Sequence, residues 1–265
     1  MRKIDLADGH AVSVFTSIYE LTAERYNEFQ CYMAQATEIG SDEGSIEQHF
    51  ARLGDFIGHE RTAEALDELA LLHYNFNFIR ERFNPLQLGF GLLVAKVDNE
   101  PCTDFTEDGL TALIHQLSGY GLTQGQIVEA VETAKKKVQD ELAELFPARF
   151  DQAAAQANYQ QQQLRRFLAL CDFVLTQDAQ HLATIAQIDD WLFELSKPSM
   201  FDTGHPDNVL THKRRSFGQL CAALAEQGFI NPAQMTLYAL HSAVEYLSNK
   251  NKSAQARSQG AGEPR

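Results

Sequence analysis

Nine histidines, 36 acidic residues and four cysteines are the groups from which a reactive site could be built in this chain of 265 residues. A di-iron carboxylate bundle needs Glu-x-x-His on two helices and a further Glu from each of two others, so that the ligands project into one core. That pattern is missing. Asp178 and His181 have the i, i+3 spacing once, which is close to chance among nine histidines. His73 lies beside Tyr74 and His241 near Tyr238, and each reads as a core-edge histidine with one satisfied hydrogen bond rather than a general base. His73, His115, Asp104 and Asp108 are the raw material for an enzyme whose residues meet only in three dimensions. Cys31, Cys102, Cys171 and Cys221 lie far apart without CxxC spacing, against a disulfide framework or zinc ribbon. Cys31 and Cys221 fall near apolar stripes, where a thiol acts as a small buried hydrophobe. There is no GxxxxGK[ST] loop, no GxGxxG after a strand, no GxSxG elbow and no HExxH pair. Gly89-Phe90-Gly91 lacks the third glycine and reads as a strand with close backbone contacts. No catalytic, cofactor-binding or metal-ligating residue is assigned, no cofactor is expected, and the chain is read as non-enzymatic.

Two features point to macromolecular partners instead. His212-Lys213-Arg214-Arg215 is the least compensated basic cluster, suited to an acidic partner that includes the acidic N-terminal half of another copy. Lys135-Lys136-Lys137 is flanked by Glu129, Glu132, Asp140 and Glu141, so pairing on a solvated helix explains it. A formal charge of −14 opposes approach to a polyanion, so nucleic acid is not expected as a partner. A helical DNA-binding regulator using residues 212–215 is kept as an alternative. Tyr74, Phe76 and Phe78, with Phe83 and Phe90, are too many aromatics for one narrow helical stripe. They form either a partner-docking face or the central helix of a bundle. Tyr74, Phe76, Phe78, Lys213, Arg214 and Arg215 are accordingly the candidate partner-binding residues.

The elements that must position these groups are mostly helices, with apolar residues recurring at steps of three and four. Tyr26, Phe29 and Met33 share one side of a helix from Thr22. Ile46, Phe50, Leu53 and Ile57 mark a second, with Ser45 and Gln48 spaced as a capping box and Gly58 as its left-handed end. Leu66, Leu69, Leu72, Phe76 and Phe83 mark a third, ended by Asn84-Pro85. Short connections make these three antiparallel neighbours. Residues 89–97 and 102–105 around the turn 98–101 predict a small β-hairpin, with a buried loop or further helix as the competitor. Leu110, Leu113, Ile114 and Leu117 mark the next helix. Ile127, Val131, Ala134, Val138 and Leu145 mark another, begun by a Thr123/Gln126 capping box. Leu164, Phe167, Leu168, Cys171, Val174 and Leu175 form one later stripe, and Leu182, Ile185, Ile188, Leu192 and Leu195 another. Val209, Phe217, Leu220, Cys221 and Leu224 predict a helix closed by Gly228. Asn231-Pro232 then caps the last one.

Composition sets the outer bounds. With 44% apolar and 22% charged residues the chain is of globular type, and its length allows one large or two modest domains. Residues 1–149 carry 12 basic and 25 acidic groups, and the remainder 10 and 11. That change coincides with Phe146-Pro147 and the glutamine-rich stretch 151–163, which is either a boundary or the exposed start of a helix. The opening MRKIDLADGHAVSVF lacks the apolar core of a secretory signal, and the longest apolar run, 86–97, falls short of the ~20 residues a spanning helix needs. A cytoplasmic, unanchored protein is expected.

The stretch RYNEFQCYMAQATEIGSDEGSIEQHFARL at 25–53, followed by a helix ending NFNFIRERFNP, resembles proteins encoded in the structural-gene region of tailed bacteriophages. The resemblance covers about 21–145 and leaves 151–265 outside. It carries over no functional residue. It implies a virion-assembly or virion-component role, such as a tail assembly chaperone, connector or neck-associated protein, acting in the host cytoplasm or in the virion.

The expected architecture is mainly α, a bundle of about nine helices in two subdomains with one β-hairpin. Residues 1–147 form an acidic helical domain with the hairpin near 88–105, 148–248 a second helical subdomain, and 249–265 a disordered tail. The expected function is assembly through protein–protein contacts.

Overall fold

Burial alternates along Arg2–Asp5 (β1) and Ala11–Val14 (β2), with Ile4, Val12 and Val14 inside, the period of a sheet covered on one face. These strands are antiparallel, and β2 also pairs antiparallel with Val94–Val97 (β3), which pairs in turn with Glu100–Pro101 (β4). The sheet order is β1-β2-β3-β4. Asp98 and Asn99 take φ of 48° and 71°, as a two-residue hairpin turn requires. Pro101, which has no N–H to donate, lies on the edge strand. The single hairpin expected near 88–105 is therefore narrower, and it is half of a four-stranded sheet completed by N-terminal strands.

The computed structural model describes the backbone of residues 1–39, 43–81, 84–150, 153–195, 201 and 206–260, and the side chains of these residues apart from 37–39, 43–48, 74–81, 153–156, 251 and 254–260. The fold is mainly α. Eleven α-helices are present among the described residues: α1 (Ala23–Ile39), α2 (Glu43–Gly58), α3 (Thr62–Glu81), α4 (Pro85–Leu93), α5 (Glu107–Gly119), α6 (Gln124–Leu145), α7 (Pro147–Phe150), α8 (Ala153–Thr176), α9 (Ala179–Leu195), α10 (Val209–Glu226) and α11 (Leu237–Gly260).

Local chemistry sets most helix ends. The Thr123/Gln126 capping box forms at α6, and Thr106 Oγ accepts from Gly109 N at α5. Asn84 accepts from Leu86 N with Pro85 in the first turn, so this pair starts α4 as well as following α3. Gly228, at φ 91°, closes α10. Three expectations are corrected. The left-handed residue after α2 is Glu60, φ 58°, and not Gly58. Asn231-Pro232 opens a 3-10 turn (Pro232–Gln234) ahead of α11 and does not cap α11 itself. The stretch 249–260 continues α11, because its Ala, Lys, Gln and Arg are good helix formers even without apolar partners; residues 261–265 lie outside the described set.

Gly89-Phe90-Gly91 is helical, in α4, although the close contacts expected of it are real. A Cβ on Gly89 would fall on the Met33 methyl of α1, and one on Gly91 would come within 3.0 Å of Leu110. Glycine lets α1 seat against α4, which replaces α2 as the main neighbour of α1. Phe29, Phe90, Ile114 and Val131 fill the core under the sheet, and Leu224, Leu237, Leu240 and Ala243 join the same core from the last two helices. Residues 17–23 are also stitched to 235–238 through Ala23 N–H to Met235 O and Leu237 N–H to Leu21 O. The main core thus runs across the boundary expected near 147. The glutamine-rich stretch enters α8 by residue 153.

Two buried polar anchors hold this body. The Arg25 guanidinium lies 3.7 Å from the Phe105 ring centre and 4.9 Å from that of Phe15, and donates to Cys102 O at 2.8 Å. Burial lowers its pKa to about 10, so it stays charged at neutral pH. His241, on α11, packs against Phe146 and Phe150 while its Nδ1 accepts from Arg149 at 2.9 Å. Burial first, and then the Arg149 charge, lower the His241 pKa to about 4. Between about 4 and its unfolded value near 6.5 the unfolded chain binds the extra proton. The His241 contribution is thus complete above about pH 6.5 and falls away as pH drops toward 4, by at most ~3 kcal/mol. Urea unfolding at pH 7.5 and 4.5 should show this acid loss, and His241→Phe should shrink it.

Candidate protein-docking surface

The apolar stripe of α8 follows the sequence pattern, yet it faces away from the protein. Leu164, Phe167, Leu168, Val174 and Leu175 are between 53% and 82% exposed, and Cys171 is half-buried among them. The opposite side of α8 packs on α9 through a mixture of small, aromatic and charged groups, with the Tyr159 and Trp191 rings 6.4 Å apart. Ala169 and Ile188 are buried there, and Arg166 grips Asp189 with two bonds, Nε to Oδ1 at 2.5 Å and Nη2 to Oδ2 at 3.2 Å. That pairing raises the Arg166 pKa, hydrogen bonding being the larger cause. The turn between the helices rests on Gln177, φ 59°, and on Asp178, whose carboxylate accepts from Gln180 N at 2.9 Å. Asp178 and His181 therefore owe their spacing to helix capping.

A second helical pair repeats the inversion. Phe50 and Ile57 of α2, and Leu66 and Leu69 of α3, are exposed, while Phe56, Ala65 and Leu71 are buried on the adjoining faces. Between α2 and α3 lies a polar cluster that periodicity did not reveal. Glu68 is fully buried, with Oε1 2.5 Å from His49 Nδ1 and 3.2 Å from Arg52 Nη2. The two pairs meet where the Phe56 and Phe193 rings lie 5.9 Å apart, tilted by 41°, and Arg61 pairs with Asp190. Beside this junction Asp55, His59, Tyr159, Gln163, Arg166 and Asp189 edge an open cleft of about 420 Å³. His59 Nδ1 donates to Asp55 O at 2.8 Å, Arg166 is committed to Asp189 and Gln163 Nε2 donates to Tyr159 Oη at 3.3 Å, so most of its polar groups serve the fold.

The residues singled out in the sequence fall in several places. Tyr74, Phe76 and Phe78 lie on the α3 backbone, but their side chains are outside the described residues. Arg214 is held by Glu28 of α1 through contacts of 2.7 and 3.1 Å, which raise its pKa. Lys213 edges a shallow apolar hollow of about 480 Å³ with Val209, Phe217 and Leu220, and Arg215 is exposed. The cluster is thus partly compensated by α1, a pairing that only the tertiary contact reveals. Asp104 accepts from the Thr106 backbone and hydroxyl at 3.0 and 2.7 Å, holding the start of α5 and lowering its own pKa. Asp108 and His115 sit further along α5, and His73 is exposed on α3. Cys31 is buried beside Leu71, Phe201 and Leu210, and burial raises its pKa and that of Cys221. Among the described residues no three His, Cys, Asp or Glu side chains are grouped to hold a metal ion, and no helix is long and apolar enough to cross a membrane.

Compared with known proteins, the chain matches no family model, no curated protein and no solved structure.

Proposed function

We propose that this chain is a non-enzymatic assembly protein that docks other protein surface on the outward apolar face of its α8–α9 pair. The observation that supports the reading most is the exposed stripe 164–175 on a helix whose inner side is already packed. Scattered surface leucines are ordinary, whereas a contiguous apolar face of several hundred Å² marks an interaction site. The exposed apolar groups of α2 and α3 extend the same character. A virion-assembly role in the host cytoplasm or virion, which the phage resemblance implies, is the biological form we propose for it.

A photoreactive phenylalanine analogue in place of Leu168 tests the surface. We expect one discrete cross-linked product whose attachment point maps to a defined apolar surface, lost in the Leu175→Glu chain while its far-UV circular dichroism is unchanged. Failure of this cross-link, or its survival in Leu175→Glu, would remove α8 as the docking site.

A further inference from the structure

We infer that the occupant of the α8 face is α8 of a second copy of this chain, laid antiparallel across a two-fold axis near residues 168–170. This rests on the docking reading and names its partner.

The apolar residues 164, 167, 168, 171, 174 and 175 repeat as the seam of a helix pair, with i, i+3, i+4 and i+7 steps. Their midpoint lies between 169 and 170. The free charges on α8 centre one residue away, between 168 and 169. Arg166 is taken by Asp189, which leaves Arg165 and Asp172, both exposed and in no ion pair among the described residues. Seven residues separate them, two turns and ~10 Å along the axis, too far for a bond within the helix and on the same flank of the stripe. A two-fold axis normal to the plane of two antiparallel helices keeps like flanks together. It therefore sets Arg165 of each copy within about one turn of the partner's Asp172, twice per pair. One operation thus covers both apolar faces and matches both charges. A partner with a single-sign charged surface would match only one of them.

The area is also sufficient. The exposed seam offers roughly 600 Å² per copy, so the pair buries on the order of 1,200 Å², the lower end of the range for stable interfaces. Reciprocal Arg–Asp pairs at the rim then fix direction and register more than strength.

Sedimentation of the full chain across the micromolar range tests this, with a charge swap at solvent-exposed positions that leaves the fold alone. A dimer is expected for the parent chain. Arg165→Asp and Asp172→Arg should each weaken it about tenfold or more, and the double variant should return to within about threefold of the parent. A monomer at every concentration, a dimer indifferent to both reversals, or a double variant no better than the singles would overturn the inference. If such a chain still gives the Leu168-position cross-link to a different protein, the docking reading stands and the second copy falls. With no cross-link at all, both fall.

Discussion

Phe90→Ala lowers stability by about 3–5 kcal/mol, whereas Phe167→Ala changes it by less than ~0.5 kcal/mol. The two side chains are chemically identical and both sit on apolar helical segments. Phe90 has no exposed surface and lies on α4 between α1, α5 and the sheet, so its removal loses transfer free energy and leaves a cavity that flanking Gly89 and Gly91 cannot fill. Phe167 is 60% exposed, and water replaces it. Urea midpoints at pH 7.5, taken at a chain concentration too low for association, read the first difference. For Phe167→Ala the loss appears in association, as a weakened Leu168-position cross-link in a chain that unfolds normally. A large stability loss in Phe167→Ala would show that the α8 stripe is core.

Glu68→Ala costs about 3–5 kcal/mol, the scale for removing one partner from a buried ionic cluster. His49 and Arg52 both face the Glu68 carboxylate, which has no exposed surface and whose second oxygen lacks a hydrogen-bond partner among the described residues. Glu68→Gln keeps an acceptor oxygen but not the charge, and should lose only about 1–2 kcal/mol. Unfolding midpoints order the three chains, and amide hydrogen exchange should place the loosening in α2 and α3 ahead of α5 and α6. Equal midpoints would mean that water reaches the cluster.

Helix existence was readable because it depends on local periodicity and caps. The α6 capping box and the Gly228 terminus both formed where the spacing put them, and the α5 and α6 stripes are buried apart from Leu145, which is exposed at the end of α6. The sheet was half-legible: Val94–Val97 stands out as a β-rich run before turn residues, but its partner β2 lies far away in the chain. Gly89-Phe90-Gly91 carried the right contact and the wrong element, because glycine serves close approach in strand and helix alike. The candidate surface was visible as a stripe and unreadable as a surface. Arg214 could not be matched to Glu28, nor Glu68 to His49, without the fold.

The amino-acid order by itself determined that this is a mainly helical chain, where most helices run, and which side of each is apolar. Only the tertiary structure decided which apolar sides are covered. Periodicity reports what a helix would gain by burial, and says nothing of whether a neighbour arrives to cover it. In α5 and α6 that neighbour is the rest of the core; in α8 the inner side is secured by Ala169 and the Arg166–Asp189 pair, and the larger apolar side is left uncovered by the described residues of the same chain.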